Sequence, residues 1–321
     1  AATLLQACAD SDIADAQPVG PTVVRADREG SPRQFLLGFG ALPAEQTHES
    51  YIHTFATAGQ YAELVTISRV PPWTEFLPGG SISKETQGLT QLETALRKQY
   101  GLSLLFAIDP TDGLVQRSRI ADLPLTMDPR EGFLDPDVQE ALVAYALYIA
   151  THYEPEYLAV GVEINMLYAR TPDQFAGFLA AYRKVYETVK AASPHTKVFP
   201  TFQLEDIEGL LDRAHPPHWE VLDVFAGQMD VLAISTYPYL SGIRWAADIR
   251  ADYYSQLRQH YDGEILIAEA GYTSAPVEGH PSIGTEQDQE AFLQRLLTDV
   301  EANGFSAAVW VAAFDLVYAR H

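Results

Sequence analysis

The sequences Tyr157–Asn165, YLAVGVEIN, and Glu264–Tyr272, EILIAEAGY, each place a single glutamate at the end of an apolar run. Runs of this length and β-branched content are typical of strands that are covered on both faces, as in a parallel sheet. A carboxylate without a partner is costly in such surroundings. Glu163 and Glu269 therefore predict a functional site where two strands end.

The rest of the chain repeats an apolar strand followed by an amphipathic helix. Strands are predicted at residues 35–39, 62–68, 102–108, 157–164, 197–202, 231–236, 265–270 and 307–314. Helical spacing of apolar residues predicts helices at 89–100, 137–152, 171–192, 249–261 and 286–303. Thr171 and Pro172 predict a cap and a first-turn proline. Eight β–α repeats favour an α/β fold of the (β/α)₈ barrel type over an open doubly wound sheet.

The domain organisation follows from composition. Residues 1–32 are rich in Ala, Asp, Pro and Gly without periodicity and predict a disordered tail or tether, whereas 33–321 predict one catalytic barrel domain. No strand is followed by G-x-G-x-x-G, since the Gly38-Phe39-Gly40 sequence lacks the third glycine, and there is no P-loop. We therefore expect no nucleotide cofactor.

The charge of the chain restricts its partners. The 43 acidic and 21 basic residues give a net charge of −22, which repels nucleic acid and anionic lipid. We expect no nucleic-acid partner and a monomeric protein. His48, His53 and His280 are scattered, without H-x-H or H-E-x-x-H spacing, so a catalytic metal is disfavoured.

The only cysteine, Cys8, follows Leu5, Gln6 and Ala7 in an arrangement that resembles a bacterial lipobox. This resemblance implies a lipid anchor at Cys8 as the one contact with a membrane, and an extracytoplasmic protein that is secreted or anchored at a bacterial cell surface. The alternative is a free thiol in the tail. A single cysteine forms neither an internal disulfide nor a structural zinc site.

In a barrel, the carboxyl ends of the strands face a common opening, and a long loop, here 109–136 with Arg117, usually forms one of its walls. The residues at the strand ends, named at the end of this paragraph, are aromatics, carboxylates and amides with one arginine. Aromatic faces stack on sugar rings, and carboxylates and amides bind hydroxyls, so these residues predict a carbohydrate substrate. Two carboxyl groups flanking a glycosidic bond are what acid-assisted hydrolysis requires. The residues at the strand ends are Arg69, Trp73, Asp109, Glu163, Asn165, Gln203, Tyr237, Tyr239, Glu269, Tyr272, Trp310 and Asp315.

With two glutamates at the ends of strands four and seven, the chain resembles the clan A glycoside hydrolases, in pattern closest to β-galactanase-like and cellulase-like families. The resemblance implies that Glu163 is the acid/base and Glu269 the nucleophile. It implies that Tyr237 hydrogen-bonds the nucleophile and that Trp310 forms the floor of the adjacent subsite. Arg69 would keep the nucleophile ionised, whereas the acid would lie in a less cationic pocket.

One position departs from the clan pattern. The clan usually has Asn directly before the acid/base glutamate, and this chain has Val162. Asn165, on the same face if the strand continues, is the candidate substitute.

The predicted function is that of a retaining β-glycoside hydrolase for a neutral or weakly charged poly- or oligosaccharide. Two alternatives remain open: a non-catalytic carbohydrate-binding barrel at the cell surface, and a metal-dependent barrel hydrolase or lyase.

Overall fold

The structure, a computed structural model, describes residues 32–113, 116–211, 215–276 and 284–319. Cys8 and nearly all of the expected tail lie outside these residues. The described residues form one sheet of nine parallel strands. They are β1 Leu36–Gly40, β2 Leu64–Arg69, β3 Ser103–Ile108, β4 Tyr157–Val160, β5 Lys197–Phe199, β6 Thr201–Gln203, β7 Val231–Thr236, β8 Glu264–Ala270 and β9 Ala307–Trp310.

The sheet closes into a barrel through an interrupted fifth strand. The strand order is β5-β4-β3-β2-β1-β9-β8-β7-β6, so its two ends are β5 and β6. These are consecutive in the chain and are separated only by Pro200, which has no N–H for the sheet ladder. Nine strand segments therefore make the eight positions of a (β/α)₈ barrel, and the predicted fold class is confirmed.

Helices surround the barrel. The α-helices of the described residues are His48–Tyr61, Trp73–Phe76, Lys84–Tyr100, Pro136–His152, Ile164–Arg170, Pro172–Ala192, Leu204–Ile207, Leu257–His260 and Glu286–Ala302. Short 3₁₀ helices are Gly132–Leu134, Trp219–Phe225, Pro238–Ser241, Ala246–Asp248 and Val317–Ala319. Among the helices described, none has the length and apolar content that crossing a membrane requires.

The alternation of side chains along the strands divides the core in two. One apolar cluster fills the barrel interior, and a larger one lies between the strands and the helices. Interior residues include Leu64, Leu105, Ala159, Val231, Leu266 and Val309.

Several predicted boundaries are wrong for local reasons. The helix predicted at 249–261 is mostly a series of turns, in which Tyr253 and Leu257 donate to carbonyls three residues back. The pattern marked residues that are buried, but not their backbone conformation. Thr171 is the N-cap residue and Pro172 begins the helix, as predicted, but the Thr171 hydroxyl makes no capping bond because it donates to the Ser118 carbonyl at 2.9 Å. Strand nine ends at Trp310.

The predicted fourth strand also ends early, at Val160. Gly161 has a φ of +90°, and a Cβ there would lie 2.6 Å from the Phe178 ring, so both the conformation and the space require glycine. Glu163 and Asn165 consequently lie beyond the strand, at the start of the helix Ile164–Arg170.

Candidate active site

A cleft of about 530 Å³, partly open to solvent, lies at the carboxyl ends of β4, β6, β7 and β8. Its walls carry both predicted carboxylates together with cationic and phenolic side chains. The residues that matter most are Arg117, Glu163, Arg170, Tyr237, Tyr239 and Glu269. The cleft is thus at the end of the barrel where enzymes with a (β/α)₈ fold have their active sites.

The backbone at Glu163 is held in an unusual conformation. Its φ is +51°, in the left-handed region that non-glycine residues rarely adopt, and its N–H donates to the Thr201 hydroxyl at 2.9 Å. Conformations of this kind cost about 1–3 kcal/mol and are most frequent at functional sites. The turn aims the Glu163 side chain into the cleft.

Glu163 forms an ion pair with Arg117 in this structure. Arg117 Nε lies 2.7 Å from Glu163 Oε2, and Arg117 Nη1 lies 2.7 and 2.8 Å from the two oxygens of Asp109. Burial works against the charge of Arg117, but the two carboxylates outweigh it and raise the pKa of Arg117 above its ordinary value. The φ of Arg117 is also positive, at +54°. The 109–136 loop therefore reaches into the cleft and neutralises part of its negative charge.

A β-bulge turns Glu269 into the cleft. Leu266 and Ala268 face the barrel interior, so strict alternation along β8 would point Glu269 to the helix side. The register with β7 skips one residue, since Ile234 pairs with Ile267 but Ser235 pairs with Glu269. The bulge restores the inward direction for Glu269, a common use of bulges at active sites.

The surroundings of Glu269 favour its neutral form. Burial and then the negative charge of Glu163 raise the pKa of Glu269 from 4.5 to about 7, while a hydrogen bond from Tyr237 and the charge of Arg117 act in the opposite direction. At pH 7 about half of the Glu269 carboxyl groups thus carry a proton.

Tyr237 is positioned as a hydrogen-bond donor to Glu269. Its hydroxyl donates to Glu269 Oε1, which is the contact that the clan resemblance implies. Burial and the charge of Glu269 raise the pKa of Tyr237 well above its ordinary value, so the phenol keeps its proton. The Tyr237 N–H donates to both oxygens of the buried Glu205 at 3.1 Å, which fixes the start of this loop. Tyr239 packs edge-on against the Tyr237 ring at 5.9 Å and lines the same cleft.

A second, mainly apolar cavity of about 150 Å³ adjoins Glu269 from the other side. Its walls come from β1, β2, β8 and β9 and include Leu42, Ala268, Val309 and Val311. Glu269 lines both cavities, so it lies between a polar half and an apolar half.

Arg69, the arginine expected beside Glu269, forms its ion pair with Glu93 instead. Arg69 Nη2 lies 2.7 Å from Oε1 of the buried Glu93, and Arg69 also donates to the Tyr153 hydroxyl at 3.3 Å. Arg69 lines the apolar cavity and a separate pocket beside Trp73, but it is not among the residues that line the main cleft. The expectation of an ionised Glu269 beside Arg69 and a less cationic pocket around Glu163 is therefore wrong for this structure: the nearby arginine is Arg117, and it pairs with Glu163.

Neither predicted tryptophan faces the main cleft. Trp73 is 1% exposed, and its indole N–H donates to the Ala121 carbonyl at 2.7 Å. Trp310 follows the inward-facing Val309, so it points to the helix side, where its ring lies 5.9 Å from that of Phe292. The assignment of Trp310 as the floor of a sugar subsite is wrong because the strand alternates at this point without a bulge.

The two predicted amides lie in a buried network. Asn165 is fully buried; it donates to the Gln203 carbonyl at 3.1 Å and to Asp206 at 2.8 Å, and it accepts from the Gln203 N–H. Both ends of the Gln203 side chain are bonded, to Glu205 and to the Asp206 N–H. Asn165 therefore does not replace the amide that is missing at Val162, because it belongs to a helix turn and is consumed by structural bonds.

Sequence reasoning assigned no role to two arginines of the cleft. Arg117 was noticed only as part of a long loop, and the sequence holds no sign of which carboxylate it reaches. Arg170 ends the helix after Glu163 and lies 3.0 Å from Asp206 Oδ1. Arg170 follows Glu163 by seven positions. This spacing brings the arginine back to the cleft only if a helix of about two turns follows the glutamate, which the sequence analysis did not predict.

One group among the described residues has the composition of a metal site. Asp206, His215 and His218 offer ligand atoms that all lie within 4.8 Å of one another. The sequence analysis overlooked the His-x-x-His spacing of His215 and His218. This group does not include either carboxylate of the cleft.

Comparisons with solved structures agree with the barrel fold. No protein-family model and no curated protein matches the sequence. Solved structures do match. An exo-β-1,4-mannosidase from Opitutaceae bacterium strain TAV5 has a TM-score of 0.65 and 18% identity over 91% of this chain, which spans about half (54%) of that protein. A GH53 catalytic domain from Ignisphaera aggregans has a TM-score of 0.57 and 19% identity, with 90% of this chain and 88% of that one covered.

A GH5_18 protein from Streptomyces cattleya, in complex with GlcNAc, has a TM-score of 0.62 and 15% identity, with 88% of this chain and 71% of that one covered. These neighbours are (β/α)₈ barrels of glycoside hydrolase clan A, in agreement with the expected barrel. At 15–19% identity the likeness concerns the fold.

Proposed function

We propose that this barrel is a retaining β-glycoside hydrolase that acts on a neutral or weakly charged poly- or oligosaccharide. The observation that carries the proposal is the pair Glu163 and Glu269, which face one cleft, where burial and the charge of Glu163 raise the pKa of Glu269 to about 7. A double displacement needs one ionised and one protonated carboxyl group. The clan A fold of the solved neighbours supports the same chemistry.

In the proposed reaction, Glu269 attacks the anomeric carbon while Glu163 gives a proton to the leaving oxygen. Glu163 then removes a proton from the water that releases the sugar. Tyr237 holds the attacking oxygen in place through its hydrogen bond. In the free protein, however, the proton is favoured on Glu269 and Arg117 occupies Glu163. The substrate therefore has to separate Arg117 from Glu163 so that the proton can pass to Glu163.

Substrate binding is proposed to involve Tyr237 and Tyr239, which line the cleft, and Asp109, which acts through its ion pair with Arg117. Arg117 and Arg170 also line the cleft and are proposed as hydrogen-bond donors to sugar hydroxyl groups. Both arginines already bind carboxylates in this structure, so a substrate hydroxyl has to compete with Glu163, Asp109 or Asp206 for them.

The test is a screen of β-linked glycans and aryl glycosides with anomer detection by NMR. Retention of the β-anomer in the first product supports the proposal. Glu269→Gln is expected to abolish turnover, because no covalent intermediate forms. Glu163→Gln is expected to spare aryl glycosides with acidic phenols, because such leaving groups need no proton. Equal loss on both substrate types in both variants would contradict the assignment.

A non-catalytic carbohydrate-binding barrel is the second candidate, and the Arg117–Glu163 ion pair favours it, since a bound Arg117 leaves Glu163 unable to act. Titration calorimetry with the same glycans separates the two. Binding without any product after prolonged incubation supports the binding protein, and product formation supports the hydrolase.

We also propose that the protein is extracytoplasmic and monomeric, with a lipid on Cys8 as its membrane anchor. The support is the Leu5-Gln6-Ala7-Cys8 sequence. In bacteria that express the full gene, Cys8→Ala should move the protein from the membrane fraction to the soluble fraction. Unchanged fractionation would disprove the anchor.

A further inference from the structure

Asp206, His215 and His218 form a compact group beside the cleft. Asp206 lies in the helix Leu204–Ile207, directly after β6, and the two histidines follow in the next connection. His215 Nε2 lies 3.3 Å from Asp206 Oδ1, and His218 Nε2 lies 3.7 Å from Asp206 Oδ2. Both imidazoles therefore point the same ring nitrogen at one carboxylate.

Hydrogen bonds on the far side of the rings fix the proton of His215. The Pro216 carbonyl lies 2.9 Å from His215 Nδ1, and His218 Nδ1 lies 3.0 Å from the same nitrogen. A carbonyl only accepts, so His215 Nδ1 is an N–H. In a neutral imidazole its other nitrogen, Nε2, then carries a lone pair. Metal-binding histidines typically donate their second N–H to a backbone carbonyl in this way.

The Nε2 atom of His218 is left without a partner. The residue is only 6% exposed, and among the described parts of the chain nothing hydrogen-bonds this atom. The nearest carboxylate oxygen, Asp206 Oδ2, lies 3.7 Å away, beyond hydrogen-bond distance. A buried polar nitrogen without a partner is costly, and a bound cation supplies that partner.

The spacing fits a small transition-metal ion. Zinc binds nitrogen and carboxylate oxygen at about 2.0–2.2 Å, which makes the edge of its tetrahedron about 3.3–3.6 Å. The N–O separations of 3.3 and 3.7 Å match such edges better than they match hydrogen bonds of about 2.7–3.2 Å. Imidazole ligands disfavour calcium and magnesium, which prefer oxygen.

We propose that Asp206, His215 and His218 bind a divalent ion of the zinc type, with water as the fourth ligand. The ion ties the connection after β6 to the barrel. It also reaches the cleft indirectly, because Asp206 Oδ1 accepts from Arg170 at 3.0 Å and Arg170 lines the cleft. A metal on Asp206 weakens its hold on Arg170. This last consequence depends on the proposed function, whereas metal binding does not.

The test is calorimetric titration of the full chain, without a polyhistidine tag, with Zn²⁺ and separately with Ca²⁺ and Mg²⁺. We expect one Zn²⁺ per chain and no heat from the other two ions. His215→Ala and His218→Ala should each weaken Zn²⁺ binding by at least about 10–100-fold, the range known even for groups that only support a ligand. His195→Ala, a change at an exposed histidine that precedes β5 whereas the proposed site follows β6, is the matched control and should bind as the wild type does.

Cobalt gives a readout that needs no variant. Co²⁺ bound to the wild-type chain should show the intense visible bands of tetrahedral coordination, and Zn²⁺ should abolish them by displacement. Three results would overturn the proposal: no Zn²⁺ binding, equal binding by the wild type and His218→Ala, or a weak octahedral Co²⁺ spectrum. None of them bears on glycosidase activity, so failure here leaves that proposal standing.

Discussion

Replacing Glu269 by glutamine is expected to remove a pH-dependent cost to the stability of the barrel. A carboxyl group with a pKa near 4.5 when unfolded and about 7 when folded binds its proton more tightly in the folded state. Stability from this group is therefore fully present below pH 4.5 and is lost as the pH rises through 7. Glutamine is neutral throughout and can still accept the Tyr237 hydrogen bond.

The magnitude follows from the two pKa values. Each pH unit of difference corresponds to 1.36 kcal/mol, so full ionisation costs about 3 kcal/mol. Between pH 5 and pH 8, the wild-type free energy of unfolding should fall by about 2.5 kcal/mol relative to Glu269→Gln. Comparing the variants at two pH values cancels any constant effect of the new amide.

The assay is urea unfolding at pH 5, 6, 7 and 8, followed by tryptophan fluorescence. Glu187→Gln is the control, because Glu187 is exposed on the helix Pro172–Ala192 and its variant should follow the wild-type curve. Parallel changes in the free energies of unfolding of Glu269→Gln and of the wild type from pH 5 to pH 8 would refute the reasoning. Burial and the charge of Glu163 would then not raise the pKa of Glu269 as the structure indicates.

Three other changes test the site and its supports. Arg117→Gln removes a charge that lowers the pKa of Glu269, so kcat/KM should begin to fall at a higher pH on the acidic side of its pH profile. An unchanged acidic side of the profile would contradict this. Trp310→Ala should cost about 2–4 kcal/mol in urea unfolding, through lost packing on Phe292, and leave the glycan Kd unchanged; a weakened Kd would restore its role as a sugar platform. Glu93→Gln breaks a buried ion pair and should cost about 3–5 kcal/mol, measured by the same unfolding, without moving the pH profile.

Much of the architecture was readable from the sequence. Apolar runs of strand length separated by helical periodicity favoured a barrel over an open sheet, and the closed sheet confirms it. Lone glutamates at the ends of two such runs marked the cleft, because burial makes an unpaired carboxylate improbable without a reason. The same reasoning went wrong where it counted strand positions. Asn165 was placed on a strand face, but Gly161 had already ended the strand.

Only the tertiary structure decided which way the side chains at the strand ends point. Alternation along a strand is a rule of period two, and a single skipped residue reverses it. The bulge in β8 turned Glu269 inward, whereas β9 has no such bulge before Trp310, which faces the helices.

The sequence also did not show which charged side chains form ion pairs with each other. Arg69 and Arg117 are both close to the barrel mouth, yet Arg69 is bound by Glu93 and Arg117 crosses 46 residues of chain to reach Glu163. Sequence alone determined that two carboxyl groups would meet at the end of the barrel. Which of them holds the proton was decided by the fold, because burial and the distance to an arginine are properties of three-dimensional position and not of order along the chain.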